Sequence, residues 1–173
     1  MKIFLVGFMG AGKSFLGKIW GEAHSLPFFD LDKLIEDEER STVENIFATF
    51  GEDYFREREA AVLRNTDRME NCIIACGGGT PCYFDNMNWM NKIGITVFLN
   101  ESEVKIYNHL KNDDKVRPLI MLQDEKTLQS FIKTKLNDRM AVYNKSQIIL
   151  QSHQLAKDGF AIIEDYINGL PQK

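Results

Sequence analysis

IFLVGFMGAGKS, running from Ile3 to Ser14, decides the fold. Its first half is a short run that is apolar at every position, as expected of a strand covered on both faces. Its second half passes through Gly7, Gly10 and Gly12 to Lys13 and Ser14. It satisfies the spacing G-x4-G-K-S/T directly after that strand and at the opening of an amphipathic stretch. Those four fixed positions arise by chance in a chain of this size on the order of one per cent of the time or less. The chemistry follows from the backbone. Glycines let successive N–H groups turn inward around a phosphate, and the N-terminus of the next helix adds partial positive charge. Lys13 then reaches the terminal phosphates of a nucleotide, and the Ser14 hydroxyl ligates magnesium. Gly10, Ala11, Gly12, Lys13, Ser14 and Phe15 are accordingly read as the ATP-binding turn.

Outward from this turn, short apolar runs alternate with longer amphipathic segments. Strands are expected at Ile3 to Gly7, Pro27 to Asp30, Cys72 to Cys76, Ile95 to Leu99 and Gln147 to Leu150. Helices are expected at Lys13 to Ser25, Leu31 to Glu39, Val43 to Asn65, Glu101 to Lys111, Glu125 to Tyr143 and Leu155 to Asn168, with Gly51 breaking the third. Capping boxes are read at Ser41 with Glu44 and at Asn100 with Glu103. The alternation implies an α/β fold over residues 1–173: one P-loop NTPase-type three-layer domain with a five-stranded parallel sheet. The stretch Asn112 to Asp124 follows no period and is read as a mobile loop.

Composition bounds the partners. The 173 residues are 44% hydrophobic and 27% charged, with 21 Lys plus Arg against 25 Asp plus Glu, a net charge of −4. Basic residues are neither in excess nor in a long run, which argues against nucleic acid or an anionic membrane as a partner. Cys72, Cys76 and Cys82 have no fourth ligand at suitable spacing and are read as structural thiols of a reducing compartment. Met1, Lys2 and the apolar run after them faintly imitate an export signal, but the run passes straight into Lys13 and Ser14. A cytoplasmic protein is expected.

Four further patterns suggest a second ligand. Asp30 and Asp32 end the second strand; at i and i+2 their carboxylates would face the crevice at the sheet's carboxyl edge, although D-x-D before a helix also reads as capping. Glu52, Arg56 and Glu59 share one helical face, as an ion-pair ladder or as a flanked, functional arginine. Gly77, Gly78 and Gly79 end an apolar strand at an entropic cost that a bare turn seldom bears, so a ligand approaching the backbone is the better reading. Arg117 and Arg139 stand isolated, the first before Pro118.

Together these pieces resemble the shikimate kinases, small P-loop kinases of aromatic amino-acid biosynthesis, over nearly the whole chain. The resemblance rests on the phosphate loop, on F-D-x-D at Phe29 to Asp32, and on I-F-x-x-x-G-E-x-x-F-R-x-x-E at Ile46 to Glu59. It continues with the triple glycine, R-P-L at Arg117 to Leu119, and R-x-x-x-Y at Arg139 to Tyr143. It implies that Lys13 and Ser14 bind phosphates and Mg²⁺, with Asp30 as a further partner of the metal. Asp32 would contact the shikimate hydroxyls as candidate base, while Arg56 and Arg139 take the carboxylate. Gly78 would touch the substrate through its backbone, Phe47 and Phe55 lie beneath the ring, and Glu59 orients Arg56. Arg117, in a lid over residues 112–124, would reach the ATP phosphates, making Asp32, Lys13 and Arg117 the catalytic set. The helices of residues 31–65 would form the substrate-binding part. A monomer using ATP and shikimate, with Mg²⁺, is expected. Thr80 departs from the family, which commonly has a small aliphatic residue there; His109-Leu110-Lys111 and Ser152 to Ala156 lack the basic residues common near the adenine. The alternatives are another small-molecule kinase of gluconate kinase type, whose acceptor needs no pair of arginines, and a nucleotide-dependent switch without an acceptor site.

Overall fold

The computed structural model describes residues 1–112, 125–155 and 159–170. Five strands, β1 (Lys2–Val6), β2 (Phe28–Asp30), β3 (Cys72–Ala75), β4 (Ile95–Asn100) and β5 (Ile148–Gln151), form one sheet in the order β2-β3-β1-β4-β5. Every pairing is parallel, with Phe4 beside Ile74 on one flank and Thr96 on the other. The helices are α1 (Lys13–His24), α2 (Leu31–Glu39), α3 (Val43–Asn65), α4 (Asn86–Ile93), α5 (Glu103–Lys111), α6 (Glu125–Tyr143) and α7 (Gly159–Asn168).

Both faces of the sheet are covered because its central strands are apolar at successive positions. Ile3, Leu5, Ile73, Val97 and Leu150 pack on Trp20 of α1 and Phe160 and Ile163 of α7. Phe4, Val6, Ile74 and Phe98 point the opposite way, onto Leu31, Ile35, Phe55, Leu63 and Met90 of α2, α3 and α4. This is the three-layer arrangement that the alternation implied. A smaller cluster of Phe8, Ile106, Leu110, Ile132 and Leu136 ties α5 and α6 to the phosphate loop.

Several boundaries differ from expectation. Gly7, Pro27, Cys76 and Gln147 lie outside the strands, whereas Asn100 and Gln151 lie inside. Helix α1 stops at His24 because Ser25 is left-handed, α5 starts at Glu103, and Leu155 sits in a turn ahead of α7. Neither capping box forms as read. Thr42 Oγ1 accepts from Asn45 N, and Ser102 Oγ from Lys105 N, so each cap lies one or two residues further along. Helix α4 was not anticipated. Gly51, at φ 81 and ψ 177, kinks α3 where a break was expected, and that positive φ favours glycine.

Candidate active site

The loops after β1, β2 and β3 open on one crevice at the carboxyl edge of the sheet, roughly 1440 Å³ in volume and large enough for two small ligands. Gly10, Gly12, Lys13, Ser14 and Phe15 line it from the β1 side, with Phe15 mostly exposed; Ala11 is buried in the core beneath. Gly10 and Gly12 hold φ of +79 and +89, so the chain curls before entering α1. Lys13 is buried along this curl, and its ammonium donates to the carbonyls of Gly7 and Phe8 at 2.8 Å each. The loop therefore carries a positive charge held against its own backbone carbonyls.

Ser14 faces β2, and its hydroxyl donates to Asp30 Oδ2 at 2.6 Å. Asp30 also caps α2, its Oδ1 accepting from the Asp32 N–H at 3.1 Å. Strand β2 ends at Asp30, so Asp32 belongs to the first turn of α2. The two carboxylates share the crevice across a cap rather than as alternate residues of one strand. Both readings of D-x-D thus apply: Asp30 is a cap and Asp32 lines the site.

Helix α3 supplies the opposite wall. Glu52, Arg56 and Glu59 do share one face, but the group is not a solvated ladder. Arg56 and Glu59 are almost wholly buried, and Arg56 donates to Glu59 Oε2 at 2.8 Å and to Glu52 Oε1 at 3.0 and 3.1 Å. Its guanidinium also lies over the rings of Phe47, Phe55 and Tyr83, at 5.9, 5.1 and 4.7 Å from their centroids. Burial works against its charge, yet Glu59 and Glu52 outweigh that and hold Arg56 above its ordinary range. Burial likewise pushes the Glu59 carboxyl up, opposed by Arg56, Thr80 and Arg139.

The triple glycine explains itself at Gly79. A Cβ there would stand 2.6–2.7 Å from three atoms of the Arg56 guanidinium, so only glycine lets that group lie flush against the chain. A Cβ on Gly78 would stand 3.4 Å from Arg139 Nη1. Adjacent residues thus touch both arginines, which α3 and α6 bring together across 83 positions of sequence. Arg139 is buried over the Phe8 ring, and its Nη1 is buried without a hydrogen-bond partner. Tyr143, one turn on, donates to the Gly78 carbonyl at 2.5 Å.

Every expected site residue within the described part reaches this crevice or its immediate wall. Arg117, with all of the expected lid except Asn112, lies outside the described residues. Three contacts were not expected from the sequence, although Thr80 and His109 stand where it departs from the family pattern. Tyr83 covers Arg56, His109 places Nδ1 at 2.7 Å from the Gly10 carbonyl, and the Thr80 hydroxyl donates to Glu59. The thiols are free, and burial pushes Cys72, Cys76 and Cys82 all upward, which keeps them protonated and poor as ligands or nucleophiles. Among the described residues, no group of three or more His, Cys, Asp or Glu is placed to hold a metal, and no helix is long and apolar enough to cross a membrane.

The profile of the shikimate kinase family matches residues 9–168. A curated shikimate kinase from Phocaeicola vulgatus is 40% identical over 154 residues, 89% of this chain and 88% of that protein. The crystal structure of shikimate kinase from Bacteroides thetaiotaomicron superposes with a TM-score of 0.89 at 34% identity, covering 97% of this chain and 98% of that one. Shikimate kinase from Acinetobacter baumannii, solved in complex with shikimate, superposes at 0.86 with 28% identity, over 98% of this chain and 95% of that one.

Proposed function

The chain belongs to the shikimate kinase family, and from that premise we propose how its crevice divides the work of phosphorylating shikimate with ATP. The activity is that of a transferase of aromatic amino-acid biosynthesis, and the gluconate kinase and switch readings are not favoured. The shikimate 3-hydroxyl oxygen bonds to the γ-phosphorus as the bond to the β–γ bridging oxygen breaks. ADP departs, and the hydroxyl proton is released.

In our reading the phosphate loop holds ATP, with Lys13 moving its donors from the Gly7 and Phe8 carbonyls to the phosphate oxygens as these enter. Arg117 assists at the phosphates on the strength of its R-P-L motif. Ser14 and Asp30 are hard oxygen donors 2.6 Å apart, a chemistry that fits Mg²⁺, and these two residues would hold it beside the phosphates. When bound, that ion neutralises charge on the phosphates. Asp32 receives the acceptor hydroxyl, orients it and takes its proton. Phe47 and Phe55 give the ring an apolar seat, and the Gly78 backbone borders it.

One observation carries the assignment of the carboxylate end. Two buried guanidiniums meet there against a single buried carboxylate, and Arg139 Nη1 has no partner inside the protein. A planar anion with two oxygens supplies what that end lacks. We further read residues 1–173 as one cytoplasmic, monomeric kinase domain. The test is coupled ADP release against shikimate, quinate and gluconate. Release with shikimate alone supports the assignment; equal turnover of gluconate would remove the need for a paired-arginine acceptor site.

A further inference from the structure

We propose that Thr80 is a positioning residue of the acceptor site, its hydroxyl setting the Glu59 carboxylate so that Arg56 is presented to the substrate. The inference rests on Arg56 binding the shikimate carboxylate. Glu59 is fully buried, and its two oxygens are divided between two donors. Oε1 accepts from Thr80 Oγ1 at 2.5 Å, and Oε2 accepts from Arg56 Nη1 at 2.8 Å. Both oxygens of the Glu59 carboxyl are thus engaged, one by the hydroxyl and one by the guanidinium. The plane of that carboxylate is therefore fixed at one end by the hydroxyl and read out at the other by the guanidinium.

Thr80 is itself held on every side. It is fully buried at the head of the short turn Thr80–Cys82, with Pro81 next. Its N–H donates to the Gly77 carbonyl at 3.2 Å, and its own carbonyl accepts from Asn86 Nδ2 at 2.8 Å. Gly77 leaves room for the pair. A Cβ there would stand 2.8 Å from Glu59 Oε1 and 3.0 Å from Thr80 Oγ1. An aliphatic side chain at position 80 would fill the same space and leave Oε1 a buried acceptor with no donor. Glu59 would then be free to turn about its own bond, and Arg56 would lose a fixed partner at its Nη1 end.

The measurements are steady-state kinetics for both substrates and the melting temperature, on wild type, Thr80→Val, Thr80→Ser, Thr80→Ala and Arg56→Lys. Thr80→Val keeps the shape and loses the hydroxyl. It should raise KM for shikimate about 10-fold, part of what a hydrogen bond to a charged group is worth, and leave KM for ATP within about two-fold. Thr80→Ser should stay within about three-fold of wild type for both. The preference for shikimate over its methyl ester should fall in Thr80→Val, because the carboxylate clamp is what loosens. Should Thr80→Val fail to fold, Thr80→Ala carries the same test. Unchanged KM for shikimate in these variants, alongside a raised KM in Arg56→Lys, overturns the role of Thr80 and leaves the acceptor-site reading standing. Equal increases in both KM values with a lowered melting temperature overturn it too, in favour of packing. An unchanged KM for shikimate in Arg56→Lys removes the acceptor-site reading and this inference with it.

Discussion

Replacing Arg139 by Met separates binding from stability more sharply than any other single change here. In the unliganded protein, Arg139 Nη1 is buried without a partner, a condition that costs about 1–3 kcal/mol. Methionine removes that cost and keeps much of the stem's packing volume. Against it stand the lost contact with the Phe8 ring, 5.6 Å away, worth roughly 0.5–2 kcal/mol, and the lost contact with the Tyr143 hydroxyl. The two sides nearly cancel. At about 2–4 °C per kcal/mol for a chain of this size, the melting temperature should move by no more than about 4 °C in either direction. Binding has no such compensation. Two charge-assisted hydrogen bonds at about 1.5–3 kcal/mol each amount to roughly 3–6 kcal/mol, so KM for shikimate should rise at least about 100-fold while the Kd for ATP alone is unchanged. Thermal shift and initial-rate kinetics give both readings on one preparation, and saturating shikimate should raise the melting temperature of the wild type only. A variant with an intact melting temperature and KM within three-fold of wild type would refute the claim that this guanidinium awaits the substrate.

Two further outcomes follow from the geometry. Lys13→Ala removes a charge lodged between the Gly7 and Phe8 carbonyls rather than core packing, so the protein should fold and lose at least about 100-fold in kcat; near-normal turnover in the folded variant contradicts the phosphate-loop assignment. Glu101, at the end of β4, is pushed up by burial but pulled below its ordinary 4.5 by donors from Ser152, Ser102 and Lys105. With its folded pKa depressed, its contribution is complete above the unfolded value and lost as pH falls through the folded one. Glu101→Gln should therefore lower the melting temperature by about 3–6 °C at pH 7, and the gap should close in acid. A gap that does not narrow as the pH is lowered contradicts the ionic origin.

What was legible in the sequence was local or periodic. The G-x4-G-K-S spacing places a strand end, a turn and a helix start within a dozen residues, and the i, i+4, i+7 spacing of Glu52, Arg56 and Glu59 needs only the helix to be right. Helix α4 escaped because Asn86, Asn88 and Asn91 are weak helix formers; Met87 and Met90, packed on the core, hold it by tertiary contact instead. The pattern D-x-D leaves a strand end and a helix cap equally open, and the end of β2 at Asp30 decides for the cap, with Asp32 inside α2. Thr80, Tyr83 and His109 meet their partners across 21, 27 and 99 positions, and no periodicity encodes such distances.

The kink at Gly51 gives the two halves of α3 different fates. Beyond it, Phe55, Arg56, Glu59, Val62 and Leu63 are all sunk in the protein, whereas before it only Ile46 is. The backbone ladder does not run continuously through a residue at φ 81 and ψ 177, so fraying of one half need not propagate into the other. Residues 43–50 can therefore open in amide exchange at a low free-energy cost while residues 52–65 stay protected. Val43, Glu44 and Phe47 of that first half line the crevice, so this wall can loosen while Arg56 keeps its hydrogen bond to Glu59.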